Sequence, residues 1–402
     1  MTVAERAQNW KTRKEEERRL LVQELLRKAE TGDIDAMSGL AYAYQTGEGV
    51  TQDEEAAEEW LRKIYDLRTK EAEQGDLDAL FETAFSLTAG IGVSRNRGKG
   101  NALFAELIER CRNEAGQNRT AARILGRCYA DGLGLRQDPE KGTDWYRRAA
   151  QQGETAAQTV LGYLYSVGLA VKKDGAEAAS WFLKAAEGGD PAAQREIGLR
   201  FLAGNGVPKE PESALFWLRK AADQDDRDAL ARLAEILLSG EGGVKDVSEA
   251  MKCYRVLAEE GNAKAQEILG KGYLTGEGVS CDPEEGAMWL TEAAAGDEPG
   301  AQYELGLLYL AGKGVETDPK EGVRLLHESA LWGNAAAQFV LGNCYQDGIG
   351  VCQNSEKALR WQKEAALNGE INAREFLLEM GYTEKDWESD AWEDEWEEEE
   401  EA

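Results

Sequence analysis

Residues 261–296, GNAKAQEILGKGYLTGEGVSCDPEEGAMWLTEAAAG, form one copy of a unit that recurs every 36 residues. The next copy, residues 297–332, reads DEPGAQYELGLLYLAGKGVETDPKEGVRLLHESALW. One copy cannot bury its own apolar face, so such a repeat predicts stacked supersecondary units. Less regular copies begin near Gly32, Gly75 and Gly116, and the first two contain insertions. A Gly or Asp begins each regular copy, at Gly153, Gly189, Asp225, Gly261, Asp297, Gly333 and Gly369.

Each copy is predicted to contain two helices. Ala265, Leu269 and Tyr273 are spaced i, i+4, i+8 and therefore share one helix face. Gly270 lies beside that face, and glycine inside a helix costs roughly 1 kcal/mol relative to alanine, so its recurrence indicates a close helix contact. The GEGV turn at 276–279 suits a helix end. The CDPEE segment at 281–285 then supplies an aspartate cap and a proline at the first position of the second helix.

The repeats, the charged terminal segments and the tryptophans together predict the fold class and the domain organisation. The sequence predicts an all-α, right-handed α/α superhelical solenoid of about nine helical pairs. Residues 1–31 are expected to form an N-terminal capping helix, residues 32–381 the repeats with a terminal half repeat, and residues 382–402 a disordered acidic tail. Trp10 and Trp332 are expected to be packing residues. Six tryptophans share one second-helix position and are also expected to pack: Trp60, Trp145, Trp181, Trp217, Trp289 and Trp361.

These motifs closely resemble the Sel1-like repeat family, a relative of the tetratricopeptide repeats. The matching features are the A-Q-x-x-L-G-x-x-Y stretch, the G-x-G-V turn, the D-P-x-x-A/G cap and the W-x-x-x-A-A helix, over roughly residues 32–381. The resemblance implies an α/α solenoid that acts as a scaffold for protein complexes. The family includes adaptor subunits, bacterial regulators, effectors and immunity proteins, and the resemblance does not choose among them. The chain lacks the regular cysteine pattern of some bacterial members.

The net charge and the cysteines indicate which partners and which cellular compartment to expect. The net charge is −29, and residues 384–401 alone carry 12 carboxylates and one lysine. Such a field repels nucleic acid and anionic membranes and attracts basic partners, although improved solubility is the alternative explanation. The six cysteines are scattered, and the N-terminus has no apolar signal segment, so a cytoplasmic protein is expected. No apolar run approaches the roughly 18 residues that a membrane span needs.

No catalytic or metal-binding constellation is evident. His327 is the single histidine, and its variable repeat position predicts a solvent-facing side chain. One histidine is too few for most Ser-His-Asp schemes or histidine-rich metal sites. The expectation is a non-enzymatic protein without a cofactor, with a hydrolase that uses dispersed carboxylates as a remote alternative. Cys128 and Cys344 are expected to be small packed side chains, while a redox role for Cys344 with Cys352 stays open.

The variable positions of the first helices are the candidate partner site. Two of them lie four residues apart and so share a helix face. By resemblance to tetratricopeptide solenoids, they are expected to line a concave groove that is basic near its N-terminal part and aromatic near its C-terminal part. Packing between repeats is the alternative role. The candidate groove residues are Arg123, Arg127, Tyr163, Arg195, Leu199, Lys271, Tyr303, Leu307, Phe339 and Asn343.

The acidic tail is the second candidate site, since Trp387, Trp392 and Trp396 have no repeat role. The tail is expected to dock on a basic, apolar partner surface, or to bind the chain's own groove near its arginines as an autoinhibitory segment. The leading prediction is a scaffold or adaptor that recognises a protein or peptide in the groove. The alternative is a cytoplasmic immunity or inhibitor protein that sequesters a basic toxin or enzyme. Oligomeric state is left open.

Overall fold

Helical pairs build the whole described part of the chain. The computed structural model describes residues 3–384, and within that range it contains 20 α-helices and no strand. In chain order they form nine successive first-helix and second-helix pairs between an N-terminal helix and a final short helix, which confirms the predicted fold class. The chain divides into two compact units, Trp10–Lys245 and Asp246–Ala402 with Met1–Asn9. The predicted tail lies almost wholly outside the described residues.

The first unit, Trp10–Lys245, takes most of α1 (Val3–Glu30) and eleven further helices. In it Val22 and Ala29 of α1 pack against Met37 and Leu40 of the next helix. The insertions of the first two repeats lengthen their second helices to 20 and 18 residues, whereas most other repeat helices have 13. The helices are α2 (Ile34–Thr46), α3 (Glu54–Glu73), α4 (Leu77–Ala89), α5 (Arg97–Glu114), α6 (Arg119–Asp131), α7 (Pro139–Gln151), α8 (Thr155–Val167), α9 (Gly175–Glu187), α10 (Pro191–Ala203), α11 (Pro211–Ala222) and α12 (Arg227–Ser239).

The second unit contains the remaining repeats and the first turns of α1. Arg6, near the start of α1, forms ion pairs with Asp282 at 3.4 Å and Glu285 at 3.5 Å and also pairs with Glu284. Val3 packs against the apolar cluster that contains Leu305. The helices of this unit are α13 (Val247–Glu259), α14 (Ala263–Thr275), α15 (Pro283–Ala295), α16 (Pro299–Ala311), α17 (Pro319–Leu331), α18 (Ala335–Asp347), α19 (Ser355–Leu367) and α20 (Ile371–Glu379).

Glycines set the close crossing of the two helices in a repeat. A Cβ atom on Gly270 of α14 would lie 2.8 Å from Leu290 Cγ and 3.0 Å from Gly286 O on α15. Conversely, a Cβ on Gly286 would lie 2.9 Å from Gly270 O. Helix backbones approach this closely only without side chains between them. The predicted close contact at the recurrent LG step is therefore confirmed.

The turn between the two helices also needs glycine, and it ends in an aspartate cap. Gly276 closes α14 with a φ of 77°, in the left-handed region that glycine occupies without steric cost. The backbone N–H of Asp282 then donates to Tyr273 O at 3.0 Å, which fastens the second helix to the end of the first. Asp282 accepts from Glu285 N at 3.1 Å, and Pro283 follows at the first helical position, as predicted.

Candidate protein-interaction surface

The ten predicted groove residues all keep part of their surface in contact with solvent. Tyr163 is exposed and the other nine are half-buried. They alternate along the first helices with fully buried frame residues such as Ala157 and Leu161 of α8. The frame is thus constant from repeat to repeat while the flanking positions vary, which is the arrangement that a recognition surface on a repeat scaffold requires.

Two of the arginines in the first unit are held by carboxylates of neighbouring repeats. Arg123 pairs with Asp78 of α4 and, at 3.0 Å, with Glu154 before α8. Burial alone would lower the pKa of Arg123, but the two carboxylates outweigh it and raise that pKa. Arg195 likewise pairs with Asp226 at 2.5 Å. These two guanidiniums are therefore internally neutralised.

Arg127 makes a different contact. Its guanidinium carbon lies 4.6 Å from the ring centroid of Phe81 and 5.9 Å from that of Phe85, a cation–π arrangement with rings of the preceding first helix. Counted from the start of their repeat at Gly75, Phe81 and Phe85 occupy the two variable positions themselves. Sequence reasoning missed them because the insertions in the early repeats break the regular 36-residue spacing.

The same count places exposed Tyr42 of α2 at the position of Tyr163. Tyr163 itself packs edge-on against Phe182, with ring centroids 5.0 Å apart. The first unit therefore has aromatic as well as basic side chains at these positions, with Tyr42 and Tyr163 exposed, Phe85 half-buried and Phe81 buried. The expected division into a basic N-terminal part and an aromatic C-terminal part is too simple, because the early aromatics were not counted.

The ten candidate groove residues are called the row below. In the second unit, its basic member Lys271 is held by a buried carboxylate. Glu267 is only 3% exposed and accepts from Lys271 Nζ at 2.7 Å and from Lys264 Nζ at 2.6 Å. Lys271 also pairs with Glu304 of the next first helix at 3.3 Å. Burial raises the pKa of Glu267, but the hydrogen bonds from the two lysines outweigh it, and the net shift is downward.

The other members of the row in the second unit, three apolar or aromatic residues and Asn343, are partly packed. Tyr303 lies against the apolar cluster of α17–α19, and Phe339 against the terminal cluster. Asn343 Oδ1 accepts from Gln362 Nε2 at 2.8 Å, and the same amide nitrogen lies 3.2 Å from Phe339 O. Leu307 is half-buried. Part of each side chain therefore contributes to repeat stacking, and the remainder faces solvent.

Two side chains behave differently from expectation. His327 is not solvent-facing: it is half-buried edge-on against Trp361, with ring centroids 5.7 Å apart, and burial lowers its pKa. Trp332 was expected to pack but is 67% exposed. Cys128 and Cys344 are buried as predicted, and burial raises their thiol pKa values to about 12 and about 11.

Residues 3–384 were also searched for metal sites, membrane-spanning helices and paired cysteines. No group of three or more His, Cys, Asp or Glu side chains in this range is arranged to hold a metal ion. None of its helices combines the length and the apolar character needed to cross a membrane. Cys352 is exposed while Cys344 is buried, and both are free thiols. Trp387, Trp392 and Trp396 lie outside the described residues.

Comparison with known proteins agrees with the repeat analysis. The family model described as Sel1 repeat matches residues 34–68, 120–154, 155–190, 191–226, 227–262, 263–298, 299–333 and 335–370. A Sel1 repeat protein from Oxalobacter formigenes is 32% identical, with 78% of this chain and 89% of that chain covered and a TM-score of 0.51. No curated protein matches.

Two further solved structures are more distant. A protective antigen of uropathogenic Escherichia coli with an SLR fold is 26% identical, covering 91% of this chain and 92% of its own, with a TM-score of 0.49. An immunity protein from Pseudomonas aeruginosa is 22% identical, covering 53% and 75%, with a TM-score of 0.30.

Proposed function

We propose that this chain, which belongs to the Sel1 repeat family, is a non-enzymatic scaffold or adaptor that binds a protein or peptide through the variable side chains of its first helices. Sel1 repeat proteins are generally protein-interaction scaffolds. The observation that carries the proposal is the row of unlike, partly exposed residues at equivalent positions of a constant frame. Arginine and aromatic side chains, which dominate this row, are typical binding anchors.

The contacts of the row indicate which members would meet a partner. Arg123 and Arg195 are already paired, so a partner carboxylate would have to compete with Glu154 and Asp226 for them. Arg127 has only a longer ion pair, 3.7 Å from Asp131, besides its aromatic contacts. With Tyr163 exposed, these two residues are the strongest anchors in the first unit, and the half-buried ring of Tyr303 is the strongest in the second.

Alanine variants of the anchors test this assignment. A partner is first captured from native lysate on the full-length chain, and its Kd is then measured for Arg127→Ala with Tyr163→Ala and, separately, for Tyr303→Ala. At least a ten-fold loss of affinity is expected from one of the two. Phe216→Ala is the matched control, because Phe216 is a half-exposed aromatic on the second helix α11. Equal affinity of all variants would overturn the groove assignment.

The strongly negative charge favours a second role, that of an immunity or inhibitor protein which sequesters a basic toxin or enzyme. A net charge of −29 would accelerate encounter with a basic protein. Association should then slow steeply as salt is raised, and a salt-independent association rate would reject this role. We place either role in the cytoplasm, a proposal supported by six free thiols and no disulfide among residues 3–384.

A further inference from the structure

Four exposed apolar side chains lie where α17 and α19 end and α20 begins, and they are called the apolar patch below: Leu331, Trp332, Leu367 and Ile371. Leu331 and Leu367 end α17 and α19 at the same position of successive repeats, and both are exposed. Trp332 follows Leu331, and Ile371 begins α20 just beyond the turn after Leu367. The positions of Leu331 and Trp332 are polar in most earlier repeats, which hold Gln151 and Gln152, Asp223 and Gln224, or Glu259 and Glu260.

Trp332 removes a hydrogen bond that other repeats make. Gln224 Nε2 donates to Gln194 Oε1 at 2.8 Å, and Asn368 Nδ2 donates to Gln338 Oε1 at 2.9 Å. Trp332 stands at the position of these two donors, and the matching acceptor is Gln302. Gln302 is 2% exposed, and its Oε1 accepts no hydrogen bond from any described residue. A buried acceptor without a donor destabilises a fold, so Trp332, whose side chain is exposed, is expected to cost this repeat stability.

The charges beside the patch are also reversed relative to the first unit. The last turns of α7, α9 and α11 carry Arg148, Lys184 and Lys220, which suit the negative end of a helix dipole. At the same position α17 and α19 carry Glu328 and Glu364, three residues before Leu331 and Leu367 and so on the same face.

The acidic surroundings extend along the chain. Residues 328–384 contain eight carboxylates and four basic side chains, and the sequence after them is more acidic still. A net negative charge near the apolar anchors is complementary to a basic, apolar segment, and it remains after Arg324 has paired with Glu328 and Arg374 has bonded to Ala366 O at 2.9 Å. The same charge disfavours two other occupants, the acidic tail of this chain and a second copy of it.

We propose that this apolar patch is a second docking surface, distinct from the first-helix row, and that it binds a basic amphipathic segment of a partner protein. Aliphatic side chains of the segment cover Leu331, Leu367 and Ile371. Its lysines or arginines face Glu364 and compete with Arg324 for Glu328, and one of them stacks on the indole of Trp332. This surface would let the scaffold hold two partners at once.

The probe for the test is a fluorescein-labelled 18-residue amphipathic peptide of leucine and lysine, with a leucine and glutamate peptide and a lysine and serine peptide as matched controls. Binding to the full-length chain is followed by anisotropy. The leucine and lysine peptide is expected to bind at least ten-fold tighter than either control. Trp332→Gln and Leu367→Gln should each weaken it at least five-fold without changing the net charge. Val167→Gln, an exposed apolar position on α8, should not.

Thermal unfolding supplies an independent readout. Trp332→Gln restores a donor to Gln302, so its Tm should rise while its peptide binding falls. Equal binding of the lysine and serine peptide, or unchanged binding by both patch variants, would overturn the proposal. If Trp332→Gln instead abolishes self-association in sedimentation, the occupant is a second copy. If peptide binding appears only after removal of residues 385–402, the occupant is the tail. Either of these two results also overturns the proposed partner.

Discussion

Arg195 of α10 and Asp226, the N-cap of α12, form an ion pair of 2.5 Å between Nη1 and Oδ2. The other oxygen of the same carboxylate, Oδ1, accepts from Ala229 N at 2.9 Å. One aspartate therefore both caps a helix and joins consecutive first helices. Arg123 and Glu154 repeat the arrangement two repeats earlier, at 3.0 Å, although Glu154 makes no side-chain cap. The variable row thus contributes to stacking as well as to the candidate recognition surface.

The two roles of Asp226 can be separated by substitution. Asp226→Asn keeps a capping oxygen but removes the charge, whereas Asp226→Ala removes both. We expect Asp226→Ala to be less stable than Asp226→Asn by about 1 kcal/mol, the usual worth of a cap. In urea unfolding, a double-mutant cycle of Asp226→Asn with Arg195→Met should give a coupling of about 0.5–1 kcal/mol. Zero coupling would mean that the ion pair does not stabilise the stacking of the two repeats.

How far the sequence predicted the molecule depends on the kind of feature. The first helix predicted from AQEILGKGY is α14, Ala263–Thr275, because its fixed apolar and glycine positions depend only on local periodicity. The ion pairs of Arg123 and Arg195 were not predicted, because they depend on how one repeat stacks on the next. The exposure of Trp332 was also missed, since a tryptophan in a repeat protein is ordinarily buried and only its neighbours decide otherwise.

Ala170 is expected to be a destabilising residue. It has a φ of 58°, at the turn position where Gly134, Gly206 and Gly278 have φ values of 70°, 79° and 74°. A residue with a Cβ is strained there, so Ala170→Gly should raise the free energy of unfolding by about 1 kcal/mol. Thermal or urea unfolding would measure the change. Gly278→Ala is the opposite control and should destabilise, because its Cβ would lie 2.6 Å from Val247 O.

Arg200 is a charged residue at an apolar repeat position. It is 7% exposed, stacks on Phe182 at 5.0 Å and donates to Ser166, and burial lowers its pKa. The carboxylate of Glu196, one turn earlier in α10, raises that pKa but does not outweigh burial. Leu164 and Ile236 take its place in the flanking repeats, and Leu202 takes the place of Ser166.

Replacing this polar pair should therefore leave the fold intact or strengthen it. Ser166→Leu with Arg200→Leu is expected to change the free energy of unfolding by between zero and about +3 kcal/mol, because burying a charge that Glu196 compensates only in part is costly. Urea unfolding of the double variant, compared with each single variant, measures it. A loss above about 1 kcal/mol would show instead that the guanidinium stabilises the contact between these two repeats.

Glu267 should give the second unit an acid-sensitive contribution to stability. Its pKa in the folded chain is lowered below the usual value of 4.5 by Lys264 and Lys271, although burial acts in the opposite direction. A depressed carboxylate pKa stabilises the folded state above the unfolded pKa, and that stabilisation is lost as pH falls through the folded pKa. The difference in unfolding free energy between the native chain and Glu267→Gln should therefore favour the native chain at pH 7 and shrink below about pH 4.5. Glu235→Gln, an exposed carboxylate of α12, is the control and should show a smaller change. A difference that stays constant from pH 7 to pH 3 would mean that the two lysines do not lower the pKa of Glu267.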